Sequence, residues 1–374
     1  MVVKSVSACM SIIAIAMQAS AAPGAGPKAQ SVIRFLNSIQ GRYTIAGSQC
    51  DAGLQGEEVI AIQQATGQTP LIIGFDFLQR SLGRVDHGAD QDPVAYALEF
   101  AKEGGFVEFS WHWCLKDAWL KPGDDENGHP RWWGAFYASN ANLDLEAIMN
   151  GSDKDGRRMI ISDIDFIAAD LKRLKDAGVV VLWRPLHEAD GRWFWWGAAG
   201  PENFKKLWRV LYKRLVGHHG LDNLVWVWTG AGDEWYPGDE WVDVVGADIH
   251  QEPNDLSPRK ERYDEVRAAC GSAKCAALTE IGGLIDADRA FADGADWVWF
   301  LEWVGGWRET GGRYEHDHTS VEIWRAVYEN PKVLTLEKFR RKIEKRKAKR
   351  LVRDAGKSKP VKSQNIFRNN QKKE

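Results

Sequence analysis

Residues 179–197 read VVVLWRPLHEADGRWFWWG. The first six, 179–184, are apolar nearly throughout instead of alternating, the pattern of a strand covered on both faces. A histidine and a glutamate follow at His187 and Glu188, and four large rings stand at 193–196. A buried parallel strand that ends on a carboxylate and runs into aromatics raises two questions. One is what sheet the strand belongs to, and the other is what the acid and the rings do.

The rest of the chain answers the first. Short β-branched or aromatic runs recur at 43–47, 71–76, 106–112, 224–229, 243–249, 276–281 and 296–303. With 179–184 they make eight. Amphipathic stretches lie between them: EEVIAIQQATG (57–67), DPVAYALEFAKEGG (92–105), ISDIDFIAADLKRLKDAG (161–178), PENFKKLWRVLYKRLVG (201–217), SPRKERYDEVRAACG (257–271) and TSVEIWRAVYEN (319–330). Several end on glycine, as helices often do, and one opens with Pro201, suited to a first helical turn. Eight strands alternating with helices over about 300 residues predict an α/β fold of the (β/α)8 TIM-barrel type, a single catalytic domain. A doubly wound open sheet is the runner-up, weakened because no glycine-rich dinucleotide fingerprint follows the first strand. The insertion 115–160, rich in Trp, Gly and Asp, follows the third strand and is expected over the top of the barrel.

Composition bounds the remainder. In 374 residues, 44 % are hydrophobic and 27 % charged, ample for a core, while 19 tryptophans are an excess that needs a reason. Lys4 precedes the apolar stretch SIIAIAMQASAA, and Ala19-Ser20-Ala21 fits a small-x-small cleavage site. Residues 1–21 therefore read as a secretory signal peptide, too short in its apolar part for a membrane span, and the mature protein is expected to be extracellular or periplasmic. Four cysteines then remain, Cys50, Cys114, Cys270 and Cys275. They allow three pairings, and the short Cys270–Cys275 loop is the favoured bridge. No Cys/His spacing resembles a zinc site, and the pairs His218-His219 and His316-Asp317-His318 read as solvated surface. The formal charge of −3 conceals an asymmetry: residues 337–374 hold 16 basic and 4 acidic groups, and the other 336 residues hold 33 and 48. The domain thus spans 22–336, followed by a basic tail read as disordered or a short exposed helix. The tail could contact an anionic surface, but an acidic body argues against nucleic-acid binding as the main function.

In a barrel, chemistry gathers at the C-terminal ends of the strands. Glu188 follows the fourth strand in LWRPLHE, and Glu280 closes the seventh in AALTEI. Two carboxylates at a barrel mouth beside tryptophans suit glycoside hydrolysis, which needs one acid to protonate the leaving oxygen and one carboxylate to meet the sugar cation. Tryptophan faces match the C–H faces of pyranose rings. From spacing alone, ion-paired glutamates and core tryptophans explain the pattern equally well.

WRPLHEADGRWFWWG closely resembles the acid/base motif of glycoside hydrolase family 26, (β/α)8 barrels best known for β-mannanases. TPLIIGFDF (69–77), FSWHW (109–113), YPGDEWVDVVGADI (236–249) and ALTEIGG (277–283) resemble further family motifs in order. The resemblance implies that Glu188 is the general acid/base and Glu280 the nucleophile of a retaining double displacement, with no metal or organic cofactor. It implies that His112 and His187 line the site of the cleaved sugar, with Trp193 beside the acid/base and Trp303 as a floor. Trp132 or Trp133, more loosely aligned, supplies another contact, and Arg184 helps hold geometry and charge. One residue departs: where the family usually has a tyrosine after the sixth strand, this chain reads GADIHQEP, with His250. Histidine can also donate to a carboxylate, so this leaves activity possible but opens sugar preference. The implied substrate is β-1,4-mannan, glucomannan or galactomannan. β-1,3-xylan and mixed-linkage glucan are the same-fold alternatives, and a non-catalytic carbohydrate-binding barrel is the different class.

Overall fold

The computed structural model describes residues 21–271, 274–303, 308–310, 313–315 and 319–355. The signal-peptide reading and the His316-Asp317-His318 group fall outside them. Eight parallel strands close on themselves: β1 (Thr44–Gln49), β2 (Ile72–Asp76), β3 (Phe106–Trp111), β4 (Val181–Pro185), β5 (Leu224–Thr229), β6 (Val244–Ile249), β7 (Cys275–Ile281) and β8 (Trp299–Glu302). Neighbours pair in sequence order and β8 returns to β1, with Ile45 opposite Trp299 and Gly47 opposite Leu301. The chain folds as a (β/α)8 barrel. A two-residue strand, Val333–Leu334, adds to the outer edge of β1.

The connecting helices begin and end where local chemistry directs. Helix α1 (Pro27–Ile39) precedes β1, starts on a proline and has no counterpart in the sequence reading. Next come α2 (Glu57–Thr66), closed by left-handed Gly67, and α3 (Pro93–Lys102), whose Asp92 accepts a hydrogen bond from the amide of Ala95. The insertion after β3 forms two 3-10 turns, the helix α4 (Leu145–Asn150) and the start of α5 (Lys154–Asp176). Helix α5 starts seven residues before the stretch read as helical, because Asp153 caps it through the amide of Gly156. Helix α6 (Pro201–Tyr212) then runs into a π-helical turn at Lys213–His218. Besides the single turns Leu82–Val85 and Trp195–Ala198, the remaining helices are α7 (Lys260–Ala269), α8 (Ala287–Ala292), α9 (Val321–Glu329) and α10 (Leu336–Ala355). The chain divides after Leu336 into the barrel and a C-terminal unit of residues 337–374. In that unit the described residues are helical to Ala355, and no helix among the described residues is long and apolar enough to cross a membrane.

One expectation needs correction. Cys270 and Cys275 are not bridged; all four cysteines of the barrel are free and buried. The Cys270 thiol lies against the carbonyls of Val266 and Arg267 at the end of α7, while Cys275 opens β7. The tryptophans, moreover, are mostly core. Trp111, Trp113, Trp183, Trp195, Trp196, Trp208, Trp226, Trp228, Trp297, Trp299 and Trp324 are each under 2 % exposed. Several of the buried indoles donate to backbone, as when Trp195 donates to the Trp113 carbonyl at 2.7 Å and Trp297 to that of Pro258 at 2.8 Å, and others to side chains, as Trp113 does to Asp163 at 2.7 Å. Trp208 on α6 packs 5.6 Å from Trp226 on β5 and fastens helix to barrel. Trp208→Ala is expected to cost about 3–5 kcal/mol through the cavity it leaves, read as a lower denaturant midpoint at unchanged slope.

Candidate active site at the barrel mouth

The site is built downward from β4. Arg184, fully buried, extends its guanidinium across the barrel interior. Its Nε donates to Glu108 on β3 at 2.9 Å, one Nη to Asp248 on β6 at 2.9 Å, and the other Nη to Glu280 on β7. Asp248 also accepts from Thr279 at 2.6 Å. A register shift sets these partners: β6 and β7 pair Ala247 with Leu278 but Asp248 with Glu280, so β7 carries one extra residue there. The shift continues into the β7–β8 pairing. Such bulges re-aim side chains beside functional sites.

Above Arg184 the loop after β4 turns sharply. Leu186, Glu188 and Arg192 all hold left-handed backbone, with φ of 53°, 52° and 59°. Each costs about 1–2 kcal/mol for a residue with a side chain. The surroundings hold the turn: the Trp196 indole donates to the His187 carbonyl at 2.9 Å, and the Gly191 amide to that of Glu188 at 3.1 Å. A side chain on Gly197 would come within 2.1 Å of the Ala189 carbonyl, so glycine is required where the turn closes on itself. The insertion after β3 braces the same loop. The Ala138 amide donates to the Trp193 carbonyl at 2.7 Å and the Trp195 amide to the Phe136 carbonyl at 3.1 Å.

These supports leave an open cleft of about 350 Å3 lined by His112, Tyr137, His187, Glu188, Trp193, Phe194, His250, Glu280 and Trp303. Seven of the residues singled out in the sequence therefore meet in one place. Tyr137 and Phe194 were missed; Tyr137 comes from the insertion, whose strand-like bridge to Phe194 carries no periodic signal. Asp248 and Glu108 were also missed. The signal available for both was a charged residue inside an otherwise apolar strand, which calls for a partner. Of the four rings at 193–196, only Trp193 is well exposed, at 48 %. Its indole donates to the Glu188 carboxylate at 3.0 Å. Trp133 is not among the residues lining the cleft; it is 49 % exposed and stacks on His129, while Trp132 stacks on His87.

The histidines form a relay-like row. Asp76 on β2 accepts from the His112 amide at 3.0 Å and meets its Nδ1 at 2.5 Å. The Nε2 atoms of His112 and His187 are 3.3 Å apart. Burial alone would raise Asp76, but His112 outweighs it and holds the carboxyl below its usual range. Burial, and then His112 and Arg184, keep the His187 ring well below its usual pKa and neutral at pH 7. His250 lies just past β6 on the cleft rim; among the described residues no hydrogen bond joins it to Glu280, whose donor is Arg184.

Electrostatics sort the two glutamates. Glu188, Asp248 and Glu280 each place one oxygen within 4.8 Å of the others. That spacing could hold a cation, but Arg184 already supplies one to Asp248 and Glu280. Burial, then Asp248, pushes Glu188 up to about 7. Burial also raises Glu280, with Asp248 and Glu188 adding to it and Arg184 opposing. The pair titrates together, and the proton rests better on Glu188, because Glu280 is bonded directly to a guanidinium. Two close carboxylates in unlike surroundings can run acid and nucleophile chemistry side by side.

A close carboxylate pair at a barrel mouth is the arrangement that glycoside hydrolysis requires. The sequence matches glycosyl hydrolase family 26 over residues 21–338, and the chain belongs to that family. It is 37 % identical over 317 residues to a mannan endo-1,4-beta-mannosidase of Thermothelomyces thermophilus, covering 85 % of this chain and 62 % of that protein. It is 33 % identical over 288 residues to mannan endo-1,4-beta-mannosidase B of a Piromyces species, covering 75 % and 47 %. The chain thus spans about half to three-fifths of these relatives' lengths. Among solved structures, the GH26-CBM35 beta-(1,4)-mannanase of Podospora anserina is 36 % identical with a TM-score of 0.75, covering 84 % of this chain and 67 % of that one. A beta-mannanase from a symbiotic protist of the termite Reticulitermes speratus, complexed with gluco-manno-oligosaccharide, is 30 % identical with a TM-score of 0.70, covering 85 % and 96 %.

Two measurements test the site. Gly197→Ala should lower stability by about 1–3 kcal/mol, as overpacking does, seen as a lower Tm by calorimetry. Glu108, fully buried, is raised to about 7 by burial against the opposing pull of Arg184. The folded state therefore binds a proton that the unfolded chain releases near pH 4.5, and stability falls as pH rises from there towards 7. Glu108→Gln cannot ionise, so its Tm should decline less than the parent's between pH 5 and 8.

Proposed function

We propose that the protein is a secreted retaining endo-β-1,4-mannanase that cuts mannan, glucomannan or galactomannan by double displacement. The observation that carries the mechanism is the approach of the Glu188 and Glu280 oxygens within 4.8 Å. Retaining enzymes hold their carboxyls about 5–5.5 Å apart, whereas inverting enzymes leave about 6.5–9.5 Å for a water. The substrate reading draws on the names of the relatives and on the ring-lined cleft.

Glu280, ionised against Arg184, attacks the anomeric carbon while Glu188 gives its proton to the departing oxygen. The glycosyl-enzyme ester is then opened by a water from which Glu188 withdraws a proton, and Glu280 leaves as the carboxylate. Trp193 holds the Glu188 carboxyl in place through its indole N–H and offers a face to the sugar on the leaving side. Neutral His187 can hydrogen-bond a sugar hydroxyl without adding charge next to Glu188, and Asp76 fixes the ring of His112 for the same purpose. Trp303 supplies the floor. The export reading rests on residues 1–21 alone, and they take no part in this chemistry.

The experiment is product analysis by mass spectrometry on linear β-1,4-mannan beside β-1,3-xylan and mixed-linkage glucan, with Glu280→Ala as the blank. Manno-oligosaccharides from the parent alone are expected. Cleavage of another glycan only would overturn the substrate, and mannan binding without cleavage would overturn the enzyme reading in favour of a binding protein. Glu188 must be protonated to act, so kcat/KM should fall as pH rises through about 7. In Glu188→Gln the rate should drop about 10²–10⁴-fold and that alkaline limb should disappear.

A further inference from the structure

A second pocket lies on the outer wall of the barrel, where α4, α5 and α6 meet. It encloses about 620 Å3, larger than the cleft, and shares no residue with it. Ile148, Met149, Ile161 and Val210 give it an apolar floor, and Arg157, Lys206, Arg209 and Lys213 stand around that floor. None of the residues lining it carries a carboxylate. Arg214, also at its edge, is neutralised by a bidentate pair with Asp165 at 2.6 and 2.7 Å. The others lack such a partner: Lys206 reaches only Asn203 at 3.5 Å, Lys213 lies over the Trp241 ring at 5.8 Å, and Arg157 touches the Met149 sulfur at 4.0 Å. The nearby acid, Glu202, is exposed and pairs with Lys205, and it reaches Arg209 and Lys206 only through its charge, without an ion-pair contact.

The backbone adds a second observation. Helix α6 does not end normally but widens into the π-helical turn Lys213–His218, which presents Lys213, Arg214 and His218 to the pocket. π-turns are rare and are frequent at functional sites. Four cations gathered around one pocket repel one another, and an anion lying between them relieves that repulsion.

We propose that this pocket binds an acidic glycan, a chain bearing uronate carboxylates, with the carboxylates on Arg157, Lys206, Arg209 and Lys213 and a pyranose C–H face on the apolar floor. Its volume is that of small-ligand sites, about 300–1,000 Å3. No phenylalanine, tyrosine or tryptophan lines it, so it lacks the broad stacking platform on which single-stranded nucleic acids depend. The site would hold the hydrolase on acidic polysaccharide while the cleft works on a neutral one. It does not depend on which neutral glycan the cleft takes.

The test is calorimetric titration of the full chain with trigalacturonate at low salt, beside mannotriose, inorganic phosphate and a short oligothymidylate. Trigalacturonate should bind, and Lys206→Glu/Arg209→Glu should weaken it by about ten-fold or more, as loss of charge-assisted contacts does. Both positions are exposed, so Tm and hydrolysis in the cleft should stay at the parent's values; Arg157→Ala, which removes a single cation, is the second variant and should weaken binding in the same direction. Binding unchanged in both variants would move it to the basic tail and overturn the proposal, as would no binding by the parent. Phosphate or oligothymidylate binding as tightly as trigalacturonate would overturn the assignment to glycans.

Discussion

The structure depends on one buried cation. Arg184 lies with no exposed surface at the centre of the barrel mouth and bonds to carboxylates from three other strands. One positive charge among three acids is not neutral, so burial must keep protons on part of the cluster, and Glu108 near 7 is where this is most plainly felt. Removing a partner from such a network leaves uncompensated buried charge, which typically costs about 3–5 kcal/mol. The arrangement contributes little net stability, yet it fixes which strand ends face inward and at what height. Glu280 is oriented by the same contact that opposes its protonation.

Two backbone irregularities then convert that frame into a cleft. The extra residue in β7 sets Glu280 level with Asp248 and within reach of Arg184. The left-handed run after β4 lifts Glu188 off the strand axis to face it. Neither is a favourable local conformation. Both persist because packed indoles and the insertion's backbone hydrogen bonds leave no other path for the chain.

The eight strands were legible within one to three residues at each end, because buried parallel strands spell continuous apolar runs and their helices carry clear caps. The glutamates, both cleft histidines and Trp193 were legible from motif and strand-end position. What stayed hidden was relational. The sequence does not reveal that Thr279 occupies a bulge, that Asp248 and Glu108 share Arg184, or that Tyr137 reaches the cleft from a loop without periodicity. The tryptophans misled in part: their number suggested sugar contacts, but Trp195 and Trp196 fill space beneath the loop while Trp193 alone of that run faces out. The strand Val333–Leu334 is set by its pairing with β1, and helix α1 by its packing on β5, which no local pattern announces.

The burial of the indoles has an optical consequence. At least eleven of the nineteen tryptophans are shielded from water, so their emission should be blue-shifted and deaf to aqueous quenchers. Trp193 and Trp303 instead line the cleft, and Trp193 is bonded to the carboxylate that changes charge. The protein thus carries its own reporter: a quenchable signal from the cleft, joined by that of exposed Trp133 outside it, above a large unquenched background from the core.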